Sequence, residues 1–143
     1  MSSEPPRHAF RLLLVEDNAA DVYLIQRVLK RAGVECEMTV VSDGEAAIEY
    51  FRDAGNRATP PDLMLLDLNL PRKDGAEVLE AIRADSGLAG IRVAVMTTSS
   101  SPQERDRIEH LGVEQYITKG ADLDDFGKIG IMIKEIIQRA PKR

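Results

Sequence analysis

Thiol chemistry is nearly absent from this chain. Its 143 residues hold one cysteine, Cys36, which excludes an intrachain disulfide framework and suits a reducing compartment. Cys36 reads instead as a small apolar group inside the protein. Histidine is almost as scarce, and His8 and His110 have no partners at ligand spacing, so both read as surface residues. No basic stripe appears and the net charge is −5, which argues against a nucleic-acid or anionic-membrane surface. No apolar run approaches a membrane span, and Met1-Ser-Ser-Glu-Pro-Pro-Arg-His-Ala9 lacks the hydrophobic core of a signal peptide. The expected location is therefore the cytoplasm. Glycine is missing from Glu16-Asp-Asn-Ala-Ala-Asp21, so that turn cannot cradle a nucleotide phosphate on glycine backbone.

What is present is ordinary in bulk, 43% hydrophobic and 30% charged, and is long enough for one domain with a sizeable core. The pattern is more telling. Pro5 and Pro6 block regular pairing, so residues 1–9 read as a disordered lead-in. Five short segments, beginning near Arg11, Cys36, Leu63, Ile91 and Val113, read as strands. The run Leu63 to Leu68 is apolar without alternation except at Asp67, as in a parallel strand covered on both faces. Five helices alternate with them. Asn18 caps the first, with Asp21 near its positive end, and Gly33 stops it. Asp43-Gly44 opens the second, residues 55–61 form a loop, and the third helix spans about 75–84. Ser101-Pro-Gln-Glu104 is a capping box for a fourth helix that is nearly all polar, held by Ile108 and Leu111 and ended by Gly112. The last helix, about 123–139, puts Phe126, Ile129, Ile133, Ile136 and Ile137 on one side. Ile131 points almost the opposite way, as incidental exposure or as a contact for a partner or second copy. The alternation predicts an α/β fold with a doubly wound parallel sheet.

In such a sheet the strand ends share one edge, where open α/β folds place ligands. Strands one, three, four and five end in Glu16 and Asp17, in Asp67, in Thr97 and Thr98, and in Lys119. Three carboxylates crowded together repel, and a divalent cation is the usual remedy. All-oxygen donors favour a hard ion such as Mg²⁺, which keeps water and accepts a phosphate oxygen. A lysine and a threonine aimed at the same spot suit phosphoryl oxygens. The implied chemistry is attack by the Asp67 carboxylate on phosphorus, giving an aspartyl phosphate.

Val15-Glu-Asp-Asn18, Leu66-Asp-Leu-Asn-Leu-Pro-Arg-Lys-Asp-Gly75, Val95-Met-Thr97 and Tyr116-Ile-Thr-Lys119 together resemble the receiver domains of two-component response regulators. The spacings resemble the family too, with 30 residues from Asp67 to Thr97 and 22 from Thr97 to Lys119. The resemblance implies a flavodoxin-like, five-stranded parallel sheet in the order 2-1-3-4-5 with five helices, residues 10–140 as the receiver domain and no output domain. It implies that Asp67 accepts phosphate from a sensor histidine kinase or phosphotransfer protein. Asp17 would hold Mg²⁺ directly and Glu16 through water, with Asp67 and the backbone carbonyl of Asn69 completing the protein ligands. Lys119 would pair with the phosphoryl oxygens, Thr97 would move to meet them, and Tyr116 would turn inward. The polar helix after Ser101, the strand before Lys119 and the last helix would form the surface that switches, read by a downstream protein or by a second copy of the chain. Asn69 and Ser99 would flank the water that removes the phosphate. Gly120 departs from the family, which usually has proline after the lysine, and a trans bond is expected there. The Glu16-Asp17 pair, the long loop before Asp62 and the Thr97-Thr98-Ser99 run resemble the single-domain regulators paired with phytochrome-like kinases. The residues leave three rivals, of which a degenerate receiver serving only as a scaffold is disfavoured because every key position is filled. A phosphatase with an aspartate nucleophile needs a second acid at position 69, where this chain has asparagine. A flavin or nucleotide module needs the glycine-rich turn that residues 16–21 lack.

Overall fold

Alternate residues of the three central strands enter two different cores. In the computed structural model, which describes residues 9–71, 73–98, 101–120 and 123–139, these strands are β1 (Phe10–Val15), β3 (Leu63–Asp67) and β4 (Val93–Thr97). Leu13, Val15, Met64, Leu66, Val93 and Val95 face one core, and Leu12, Leu14, Leu63, Leu65, Ala94 and Met96 face the other. Each fully buried leucine or valine contributes about 1.5–3 kcal/mol relative to exposure, so a slip of register that mixed the two sets would be strongly resisted.

The edge strands are β2 (Cys36–Val41) and β5 (Gln115–Thr118), and the sheet order is β2-β1-β3-β4-β5 with every pairing parallel. This is the order the resemblance implies. Helices α1 (Ala19–Arg31) and α6 (Leu123–Gln138) cover the face that buries Leu12 and Leu65. Helices α2 (Gly44–Tyr50), α4 (Gly75–Ala84) and α5 (Pro102–Glu109) cover the opposite face. The edge position of β2 leaves Val40 exposed and Cys36 only half-buried, so the cysteine is less enclosed than expected. His110 is at the surface, whereas His8 and the lead-in up to residue 8 lie outside the described residues. No helix among the described residues is long and apolar enough to cross a membrane.

Local signals explain most boundaries. Asn18 Oδ1 accepts from the backbone N–H of Ala20 and Asp21, and Asp74 and Glu77 form a reciprocal capping box at the start of α4. Gly33 and Gly112 end α1 and α5 at φ of 78° and 71°, backbone that favours glycine. The expectation of five helices is corrected by a sixth, α3 (Ala54–Ala58), inside the stretch read as a loop. Asp53 caps it through the N–H groups of Gly55 and Asn56, but none of its five residues is buried, so no apolar period announces it. The fourth and fifth strands start two residues later than expected, at Val93 and Gln115. Among the described residues no peptide bond is cis, the expectation at Gly120 included.

Candidate functional site

The carboxyl ends of β1, β3, β4 and β5 converge as the strand pattern requires. β3 delivers Asp67 at its last position, directly across from Met96 of β4, and the chain leaving β1 delivers Glu16 and Asp17 beside it. Gly75 makes this end compact. A Cβ there would lie 2.4 Å from the Asp67 carbonyl oxygen and 2.6 Å from Leu68 Cα, so the loop after Asp67 can fold against its own strand only with glycine at that position.

Asp67 is 2% exposed and Glu16 1%, while Asp17 is open to solvent. One carboxylate oxygen from each lies within 4.8 Å of the others. At that separation two full charges repel by about 3 kcal/mol for an effective dielectric near 20. The only cation in their midst among the described residues is Lys119, whose side chain is 5% exposed. Its Nζ stands 2.7 Å from Glu16 Oε1, 2.8 Å from Asp21 Oδ2 and 3.1 Å from Asp67 Oδ2. Three acids therefore surround one ammonium. Burial lowers the lysine's pKa, yet the hydrogen bond to Asp21, the ion pair with Glu16 and the charge of Asp67 raise it overall, so Lys119 stays charged. Glu16 pays for the arrangement: burial, aided by Asp67, pushes its pKa up to about 7 against the pull of Lys119.

The excess negative charge tests the fit of a metal. Glu16 Oε1 is buried and has no partner in hydrogen-bonding geometry; Lys119 Nζ beside it is an ion-pair contact only. Its other oxygen, Oε2, is fixed by the Asn18 N–H at 3.1 Å, and Asp67 Oδ1 by the Asn69 N–H at 2.9 Å. The three carboxylates thus offer hard oxygen donors, those of Glu16 and Asp67 already oriented by backbone, with too little positive charge among them. This donor set fits a divalent cation of the Mg²⁺ class.

The neighbouring strand contributes a second group. Thr97 is fully buried at the end of β4, and its Oγ1 lies 2.9 Å from both Asn69 Oδ1 and Glu104 Oε1. Asn69 Oδ1 also accepts from the Thr98 N–H at 2.8 Å and from its hydroxyl at 3.0 Å. The side chain at position 69 is thereby a neutral acceptor holding two loops together, not the second acid that a phosphatase would need. Tyr116 of β5 is half-buried, donates to Glu104 Oε1 at 3.2 Å, and carries the Arg105 guanidinium 4.3 Å from its ring centroid. Burial, followed by the charge of Glu104, raises its pKa.

All seven residues singled out in the sequence lie at this edge. Two were missed. Asp21 was read only as a favourable charge at a helix start, yet it shares Lys119. Glu104 was read as half of a capping box, but only the Ser101 half forms, at 3.4 Å, because the Glu104 carboxylate is turned to Thr97 and Tyr116. The signal for Asp21 was its place in the first turn of a helix that starts at the same edge. Ser99 lies outside the described residues.

Comparison with known proteins agrees with this geometry. The family model of the response regulator receiver domain matches residues 12–129. The response regulator Rcp1 of Synechocystis sp. is 40% identical over 129 residues, covering 89% of this chain and 86% of that protein. The probable methanogenesis regulatory protein FilR2 of Methanothrix harundinacea is 39% identical over 128 residues, covering 88% and 82%. Among solved structures, the phosphorylated cyanobacterial phytochrome response regulator RcpA superposes with a TM-score of 0.83 at 42% identity, over 94% of this chain and 98% of that one. The Mn²⁺-bound form of Rcp1 gives 0.79 at 37%, over 92% and 96%.

Proposed function

Because the chain belongs to the response regulator receiver domain family of two-component signalling, we propose that Asp67 is its phosphoacceptor and that residues 10–140 act as a stand-alone switch. One observation carries the reading: Asp67 is a buried carboxylate flanked by two more acids and a buried lysine, at the edge where the strands end. A carboxylate oxygen of Asp67 attacks phosphorus; the O–P bond forms as the P–N bond to the donor's histidine breaks. Hydrolysis later breaks the same O–P bond by attack of water and returns the free carboxylate.

Glu16, Asp17, Asp67 and the backbone carbonyl of Asn69 would hold the divalent ion. When bound, Mg²⁺ supplies the charge that neutralises the acids and draws the phosphoryl oxygens in. Lys119 holds its ammonium beside Asp67 Oδ2 and pairs with the incoming oxygens. The Thr97 hydroxyl turns to the phosphoryl group, and Tyr116 follows into the space it leaves. The protein transforms no separate substrate; its product is its own altered surface, made by α5, β5 and α6. Helix α5 suits that role because Ile108 is its only buried residue. Ile131, 59% exposed on α6, belongs to the surface read by a downstream protein or a second copy. The likeness to RcpA supports a cytoplasmic histidine kinase of the phytochrome type as donor.

The test is intact-mass measurement after incubation with Mg²⁺ and acetyl phosphate. The wild type should gain one phosphoryl group, Asp67→Asn should gain none, and chelation should abolish the gain. Label on the Asp67→Asn variant would sink the assignment.

A further inference from the structure

We infer that Glu104 is a positioning residue that holds the resting form of the switch by gripping Thr97 and Tyr116 on one oxygen. The inference rests on the phosphoacceptor reading above and adds to it what opposes the change. Glu104 Oε1 lies 2.9 Å from Thr97 Oγ1 and 3.2 Å from the Tyr116 hydroxyl. A threonine hydroxyl carries one proton. Among the described residues two acceptors compete for it, the neutral amide oxygen of Asn69 and the carboxylate of Glu104, and the charged acceptor is the stronger. Any phosphoryl oxygen on Asp67 that engages Thr97 must draw the Thr97 hydroxyl proton away from Glu104. Any inward turn of Tyr116 must break its bond to the same atom.

The surroundings make the grip specific. Glu104 gives up the reciprocal half of its capping box to make these contacts. Arg105, the next residue, lies over the Tyr116 ring and holds that ring against α5. The helix is otherwise fastened by Ile108 and by Arg107, which reaches Glu80 of α4 at 3.1 Å and Asp74, the cap of α4, at 3.5 Å. Glu104 is thus the one α5 side chain among the described residues that touches both Thr97 and Tyr116. Removing it should lower the cost of leaving the resting arrangement while leaving Asp67, Lys119 and the metal-holding acids in place.

The experiment titrates the full-length protein with beryllofluoride and Mg²⁺, a mimic of the phosphoryl group, and follows the Tyr116 ring by NMR. Glu104→Gln keeps the shape and removes the charge; Glu104→Ala removes the grip. Both should bind beryllofluoride about 5-fold or more tightly than wild type, with the Tyr116 resonance shifted toward its bound position before any is added. Tyr116→Phe should tighten binding less, and should add nothing in the Glu104→Ala background because one bond is being removed twice. A purely structural Glu104 would lower Tm and leave the affinity unchanged or weaker, which overturns the inference. So does independent addition of the two effects. If Glu104→Ala does not fold, Glu104→Gln carries the test. A wild type that binds no beryllofluoride removes the phosphoacceptor premise and this inference with it, whereas a binding wild type with unaltered variants removes this inference alone.

Discussion

Two partly buried cations stand at opposite edges of the sheet, and their partners differ in kind. Lys119, where the strands end, faces the carboxylates of Glu16, Asp21 and Asp67. Among the described residues Arg83, in the last turn of α4 where β4 and β5 begin, donates hydrogen bonds only to backbone carbonyls. Its guanidinium donates to Leu111 O at 2.7 Å, Ile91 O at 2.7 Å, Ala89 O at 2.9 Å and Gly112 O at 3.1 Å. Burial lowers the arginine's pKa, with Glu114 pulling back, whereas the acids around Lys119 more than undo the same penalty. Arg83 is satisfied by neutral groups that no metal or phosphate would displace, and it ties the turn after α5 to α4. Lys119 sits in a surplus of negative charge that asks for another cation and can release the lysine to a new anion. One edge is finished as structure; the other is left electrically incomplete, which is what a site needs.

The largest effect that sharpens this contrast concerns rate. Lys119→Met should slow phosphate uptake from acetyl phosphate about 10²–10³-fold at saturating Mg²⁺, the usual loss when one oxyanion donor is removed. Arg83→Met should leave the uptake rate of the folded protein near wild type. If the two variants slow uptake equally, the division of labour between the edges is wrong.

Stability should show the reverse. Arg83→Met strands the part-buried carbonyls of Leu111 and Ile91 and should cost about 2–3 kcal/mol in urea unfolding, with Arg83→Lys recovering little because a point ammonium cannot span the fork. Added Mg²⁺ should not restore this loss, while it should restore much of what Lys119→Met loses. A deficit under 1 kcal/mol for Arg83→Met would reduce that cation to an ornament of the surface.

Next in size is a pH effect confined to the site. Glu16 titrates near 7 in the fold against an ordinary value of 4.5. Between those values the folded protein holds a proton that the unfolded chain has released, so metal-free stability should fall as pH rises from about 4.5 to 7, by up to about 3 kcal/mol. Mg²⁺ favours the ionised carboxylate and should flatten the slope. Glu16→Gln should remove it; a slope that survives this substitution belongs to another group.

The same contrast explains what could be read from the chain. Asp67 stood out because one acid interrupted an apolar run whose length and lack of alternation already meant a buried parallel strand. Glu16, Thr97 and Lys119 followed because each ends a recognisable strand, and parallel strands end together. These inferences use periods and boundaries, which are local. Arg83 gave no such sign: a helix arginine looks the same whether it meets water or four carbonyls, and its partners lie up to 29 residues away. The bond between Lys119 and Asp21 spans 98 residues and depends on how α1 is set against the end of β5. Glu104 was misread because a capping box predicts where a carboxylate can go, and Thr97 and Tyr116 offered it better donors. Helix α3 has too few residues, and no buried face, to build a period at all.

That short helix supplies the smallest effect. Arg57 of α3 grips Asp85, just past α4, through two hydrogen bonds of 2.9 and 3.0 Å, and Asp85 also accepts from the Gly87 N–H. The pair is partly open to solvent, so it should contribute far less than Arg83 at the same edge. The Arg57 hydrogen bond, then the Gly87 N–H, hold the Asp85 pKa below its ordinary 3.8. A depressed acid contributes stability that is complete above its unfolded value and is lost as pH falls through the folded one. Asp85→Asn should therefore unfold at slightly lower urea than wild type at pH 7, and the two curves should merge in strong acid. High salt should narrow the gap at neutral pH. If the gap instead persists in acid, the Arg57 contact matters through shape rather than charge, and the electrostatic contrast between the edges would rest on Arg83 and Lys119 alone.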